Sequence, residues 1–156
     1  MILKVIDKQE IGVRGAKIIY ADENGGKLLV APNLNLHGKP DYIFKKLFSL
    51  IPLELKSGTL KSDTPHMGDL HQLVVYFLII EEVYKKRPPY GKLVYKNKTI
   101  VVKNTKQLRK ETLNQIELMR KMLDGETIIK EDGCYKTYAK CKSCVCRDTV
   151  CDRPKK

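Results

Sequence analysis

Three things are scarce in this chain, and each scarcity narrows what it can be. No apolar run approaches the roughly 18 residues needed to cross a bilayer. The longest, Leu73 to Ile80, is too short and contains Tyr76. There is also no basic, apolar, small-residue start of the kind that marks a signal peptide. A soluble, cytoplasmic protein with no membrane partner is expected. Acidic charge is scarce too, with 18 Asp and Glu against 30 Lys and Arg and a net charge of +12. That excess points to a polyanionic partner, nucleic acid first and an acidic membrane surface second. Cysteine is absent before Cys134, so any thiol chemistry belongs to the C-terminal tail. Internal repeats and low-complexity linkers are missing as well. At 156 residues and 42% hydrophobic content, the chain predicts one globular domain rather than a disordered segment.

What is present reads as a mixed α/β pattern. Met1 to Ile11 suits an N-terminal strand or a loose arm. Ala16 to Ala21 reads as a strand, Asp22-Glu23-Asn24-Gly25-Gly26 as a turn, and Lys27 to Ala31 as the returning strand. Pro32 to Leu36 reads as a loop. Thr64 is expected to cap a helix with Pro65 in its first turn. Leu70, Leu73, Val74, Phe77 and Leu78 then recur at helical spacing, and Arg87-Pro88-Pro89-Tyr90-Gly91 ends the run. Lys92 to Tyr95 and Thr99 to Lys103 suggest a hairpin. Thr105 is expected to cap a second helix striped by Leu108, Thr112, Ile116, Met119 and Leu123, with Asp124-Gly125 as its stop.

Gly38 to Lys56 carries the chemistry. Asp41 opens one extended run, and Glu54 and Lys56 sit two apart at the end of the next. Residues i and i+2 of a strand share a face, so Glu54 and Lys56 project together while Leu53 and Leu55 turn toward a core. If Tyr42–Leu47 and Ile51–Lys56 pair across Phe48-Ser49-Leu50, Asp41 returns beside Glu54 and Lys56. Two carboxylates can hold magnesium or manganese through oxygen ligands. Such a cation lowers the pKa of a bound water and offsets charge developing on a phosphate. The lysine can orient that water or neutralise the transition state. The plainer alternative is a surface hairpin with a cross-strand ion pair.

Two further signals follow. Gln72 and Tyr76 are four apart and share a helix face. If buried, they need partners that a carboxylate, a lysine or a phosphate would supply. All five cysteines, Cys134, Cys141, Cys144, Cys146 and Cys151, lie in a tail that also holds Lys136, Lys140, Lys142 and Arg147. Clustered thiols in an intracellular chain argue for metal. Zinc and iron–sulfur clusters both accept four thiolates. A single Cys-x-x-Cys knuckle, Cys141 to Cys144, favours an iron–sulfur cluster over a zinc ribbon.

Taken in order, Gly38-Lys39-Pro40-Asp41, Pro52-Leu53-Glu54-Leu55-Lys56-Ser57-Gly58, His71-Gln72-Leu73-Val74-Val75-Tyr76, Pro88-Pro89-Tyr90-Gly91 and the cysteine tail form a recognisable set. From about Gly15 to Cys151 the chain resembles the CRISPR-associated RecB-like exonucleases, the fourth Cas family of the PD-(D/E)xK nuclease superfamily. The resemblance implies a restriction-endonuclease-like mixed sheet flanked by helices, with a nuclease core over residues 1–130 and a cysteine-rich cap over 131–156. It implies a metal-dependent exonuclease on single-stranded DNA ends that works with CRISPR integrase proteins. Asp41 and Glu54 match the family's metal ligands, with the Leu55 carbonyl as a third. Lys56 matches its catalytic lysine, and Gln72 and Tyr76 its Gln-x-x-x-Tyr motif. Cys141, Cys144 and Cys151 match three ligands of a cluster, 4Fe–4S before 2Fe–2S.

The chain departs from that family in two respects. Its histidines are His37, His66 and His71, and none lies before the Gly38–Asp41 motif in a helix like the one that supplies the family's metal-binding histidine. His37, next to the motif, is the available substitute. The family's first cluster cysteine is also missing, leaving Cys134 first, or Cys146, to complete the set. The alternatives are a DNA-binding accessory protein with a weakened active site, and an RNA-binding protein with zinc in the tail.

Overall fold

In the computed structural model, which describes residues 3–6, 10–23 and 25–125, the elements run β1 (Leu3–Ile6), β2 (Lys17–Ala21), β3 (Leu29–Ala31), a 3₁₀ turn (Pro32–Leu34) and β4 (Leu36–Gly38). They continue with β5 (Tyr42–Lys46), β6 (Ser49–Leu55), α1 (Met67–Tyr84), β7 (Tyr90–Val94), β8 (Thr99–Lys103) and α2 (Lys106–Leu123). A six-stranded sheet has the order β1-β8-β7-β6-β5-β2, and β3 and β4 pair apart from it. All its neighbours are antiparallel except β6 and β7. Parallel neighbours need a crossover, and α1 supplies it. The mixed α/β expectation holds. Among the described residues, no helix is long and apolar enough to cross a membrane.

Helix α1 explains most of the core. Its apolar residues run nearly all round, and Leu73, Val74, Phe77, Ile79 and Ile80 are fully buried. One side of α1 meets Leu93, Ile100, Val102 and Leu108. Another meets Tyr20, Leu29, Ala31, Ile43 and Leu50. The opposite face of the sheet holds Phe44, Ile51, Leu53 and Val94, against which Val13 and Ala16 pack. The segment carrying those two is fastened by the buried Lys92, whose ammonium donates to the Gly12 carbonyl at 2.6 Å. Gly91 lets β7 pass under the helix, since a Cβ there would lie 2.7 Å from a Phe77 ring carbon and 3.0 Å from the Pro52 carbonyl.

Several boundaries differ from expectation. The expected β2–β3 pairing is not formed: β2 pairs with β5 and β3 pairs with β4. Leu29 and Ala31 gain more by burying against α1 than by extending the sheet edge. Residues 32–36, expected as loop, form the 3₁₀ turn and the start of β4. The β5–β6 turn is Leu47-Phe48, because Lys46 pairs with Ser49. Helix α1 starts after His66, which offers no side-chain cap. Thr64 is instead tied to Ser62, and Pro65 keeps it out of helical conformation. Tyr90 and Gly91 open β7 rather than lying in the break. Leu55 is 37% exposed, because β6 reaches past the edge of the apolar cluster there.

Thr105 caps α2 as expected, its hydroxyl accepting from the Leu108 amide at 3.2 Å. Of the expected stripe only Leu108 and Thr112 are buried. The chain divides into two units, Met1–Glu117 and Leu118–Lys156. In the second, residues 118–125 are described. They are the last turns of α2 and its stop, where Gly125 adopts a φ of 85°.

Candidate active site

The register of the β5–β6 hairpin assembles the site. Tyr42 lies opposite Leu53, so the next pair outward is Asp41 with Glu54. The Leu55 amide donates to Asp41 Oδ2 at 2.6 Å, and the Asp41 amide points at Glu54 Oε2 at 3.5 Å. The two carboxylates thus face one another across the open end of the hairpin. Lys56 follows Glu54 on the same face, its amide donating to the Val94 carbonyl of β7 at 2.8 Å. The carboxyl ends of the two parallel strands meet here, which is where open α/β sheets commonly bind ligands.

Helix α1 closes the site from above with Asp69, Gln72 and Tyr76. Gln72 Nε2 donates to Glu54 Oε1 at 2.8 Å, and Gln72 Oε1 accepts from Lys56 Nζ at 2.5 Å. One amide therefore fixes the carboxylate and the ammonium together. Tyr76, 7% exposed, donates its hydroxyl to the Lys39 carbonyl at 3.0 Å. The same oxygen accepts from Gln72 Nε2 at 3.1 Å. A Cβ on Gly38 would stand 2.9 Å from the Tyr76 ring, so glycine lets β4 approach this tyrosine. Half-buried Gln72 and buried Tyr76 thus find their partners in the carboxylate, the lysine and a backbone carbonyl.

Asp69 was not singled out from the sequence, and it completes the set. Its Oδ1 lies 3.3 Å from Lys56 Nζ, and its Oδ2 accepts the Tyr95 hydroxyl at 2.6 Å. A signal was available, since Asp69, Gln72 and Tyr76 fall at i, i+3 and i+7 on one helix face. Burial first, and then this bond, push the Tyr95 phenol well above its ordinary range. Lys56 sits 3.4 Å from Glu54 Oε1 as well, so it bridges two carboxylates.

Charge does not balance here. Glu54 and Asp69 flank the one ammonium, and Asp41 adds a third carboxylate facing Glu54, in a protein whose net charge is strongly positive. Burial, and next the neighbouring Asp41 carboxylate, raise the Glu54 pKa from 4.5 to about 7. Among the described residues, Asp41 Oδ1 takes no hydrogen bond and Glu54 Oε2 only the long one from Asp41. Those oxygens, with the Leu55 carbonyl beside them in the chain, are donors of the type a hard divalent cation takes.

The histidines stand elsewhere. His37 is exposed on β4. The His66 ring centroid lies 6.3 Å from that of Tyr95, and His71 Nδ1 bonds Thr112 Oγ1 at 2.8 Å, linking the helices. That hydroxyl already donates to the Leu108 carbonyl, so His71 carries a proton on Nδ1. Among the described residues, no group of three His, Cys, Asp or Glu side chains is arranged to hold a metal. The expectations for Cys134, Cys141, Cys144, Cys146 and Cys151 fall outside the described residues. No protein-family model and no curated protein matches the sequence.

Proposed function

We propose that this protein is a metal-dependent nuclease of the restriction-endonuclease-like type, cutting phosphodiester bonds at single-stranded DNA ends. One observation carries the reading. Asp41, Glu54 and Lys56 converge at the carboxyl ends of two parallel strands, where the Leu55 amide holds Asp41 and Gln72 from the crossover helix clamps Glu54 and Lys56. A carboxylate pair, one member buried, with little positive charge beside it suits a divalent cation, and the surplus of lysine and arginine suits a polyanionic substrate.

Asp41 and Glu54 would hold magnesium or manganese through their remaining oxygens, with the Leu55 carbonyl as the third donor. When bound, the cation supplies Lewis-acid stabilisation of the phosphate and a more acidic water. Lys56 orients the attacking water and places positive charge against the pentavalent phosphate. Asp69 would hold Lys56 from the other side, so that the ammonium keeps its position if Glu54 shares its charge with a cation. Gln72 and Tyr76 hold the carboxylate face, so little reorganisation is left for the reacting state. In the tail, Cys134, Cys141, Cys144 and Cys151 would hold an iron–sulfur cluster with a structural role, since hydrolysis transfers no electrons. CRISPR integrase proteins are the partners the resemblance implies.

A second reading is a DNA-binding accessory protein of the same fold with a weakened active site. It is favoured by the exposed His37 and by the want of a third protein side chain grouped with the two carboxylates among the described residues. An assay on end-labelled single-stranded DNA decides between them, using anaerobically purified protein with manganese, magnesium or chelator. Metal-dependent shortening that disappears in Lys56→Ala supports the nuclease. Folded, DNA-binding protein that leaves every end intact supports the accessory reading.

A further inference from the structure

The β5–β6 hairpin is unusual at its tip as well as at its open end. Leu47 and Phe48 at its tip are 82% and 86% exposed, the two most exposed large apolar side chains among the described residues of the first unit. Leu47 holds a φ of 51°, a left-handed position that glycine or asparagine fills at less cost. Cationic side chains flank the tip. From Ile11 to Ala21 and from Tyr42 to Leu53 the chain carries Arg14, Lys17, Lys45 and Lys46 and no acidic residue. All four are exposed. Lys17 and Lys45 lie directly opposite each other across β2 and β5, where like charges repel. Exposed apolar surface, left-handed backbone and facing lysines all work against the isolated fold at one spot.

We infer that this tip is a single-strand docking point, with Phe48 and Leu47 stacking on bases and the flanking cations on phosphates. The inference rests on the polyanionic substrate proposed above. An aromatic face beside a basic track is the chemistry that binds single strands without regard to sequence. The tip itself presents two apolar side chains, which suit one or two bases. Ile18 and Ile19 of the neighbouring edge strand β2 are exposed as well, at 56% and 40%, and titration with vesicles reads whether the face seats in a bilayer. A strand rise of about 3.4 Å per residue puts the tip roughly 20 Å from Asp41. Contact there is therefore separable from cleavage.

The chain contains no tryptophan, so Phe48→Trp creates a single indole reporter. The full-length variant is titrated in chelator with single-stranded oligothymidylate, and separately with phosphatidylserine–phosphatidylcholine vesicles. Quenching by the oligonucleotide and silence toward vesicles is expected. In parallel, Phe48→Ala should weaken oligonucleotide binding about ten-fold with an unchanged melting temperature. Lys45→Ala and Lys46→Ala should each reduce the slope of log affinity against log salt by about 0.7. An indole that responds to vesicles, or to neither probe, overturns the inference. So does a Phe48→Ala variant that binds as tightly as the parent. A protein that binds at the tip but never cleaves refutes the nuclease alone, and one that cleaves with a silent indole refutes the tip alone.

Discussion

The two ends of the β5–β6 hairpin invert the usual arrangement in opposite senses. At the open end Glu54 is a carboxylate only 7% exposed, facing Asp41. At the tip Phe48 is an aromatic ring 86% exposed, beside lysines. Between them lie Ile43, Phe44, Leu50, Ile51 and Leu53, buried as strand alternation and a two-sided core require. Only the middle of the hairpin is arranged for stability alone. Buried charge and exposed apolar surface both lower stability, and such local violations concentrate where a protein binds or reacts. The ends differ in how each violation is contained. Around Glu54, Gln72 and Lys56 supply hydrogen bonds within the fold. At the tip nothing in the described fold covers the ring, which is the surface the docking inference assigns to a nucleic-acid strand.

That contrast can be broken most sharply at the open end. Glu54→Ala should lower metal-dependent cleavage on the order of 10³-fold, read in single-turnover assays, while the same change leaves binding at the tip intact. The next effect is on stability. Glu54 holds its proton more tightly in the folded state, so its contribution is full below pH 4.5 and is lost as pH rises through about 7. Glu54→Gln keeps the uncharged form. In chelator its stability relative to the parent should rise by about 3 kcal/mol across that window, measured by urea unfolding at a series of pH values.

Smaller effects separate holding from reacting. Asp69→Asn should slow cleavage about ten-fold, the loss of one charged hydrogen bond, with KM nearly unchanged. Asp69→Glu should restore part of the rate. At the tip, Leu47→Asn should raise stability by roughly 0.5–1 kcal/mol, because asparagine tolerates the left-handed conformation. A destabilised Leu47→Asn would show that the leucine side chain supports the fold, and the comparison between the ends would fail.

The open end was largely legible in the sequence. Glu54 and Lys56 are two apart, Gln72 and Tyr76 are four apart, and strand and helix periodicity put each pair on one face. Asp41 is expected near the others because a hairpin brings its two open ends together, but the expected turn would set it opposite Ser57. The turn at Leu47-Phe48 moves the pairing by three residues and sets it opposite Glu54. Asp69 escaped notice because a single acidic residue in a first helical turn is usually read as favouring the helix dipole. The departure of β3 from β2 was illegible for a different reason. Which surface the strand after β2 buries against depends on α1, which lies far along the chain. The exposure of Leu55 likewise depends on where the neighbouring cluster ends, not on alternation.

The central claim is that Asp41 and Glu54 form a cation site, and titration with manganese tests it most directly. Calorimetry on the parent chain and on Glu54→Gln, both checked as folded, would compare binding at the carboxylates, since a hard ion prefers their oxygens to tail thiols. The account predicts one manganese per chain in the parent and none at that site in Glu54→Gln. Equal binding by the two proteins, or none by the parent, would contradict it.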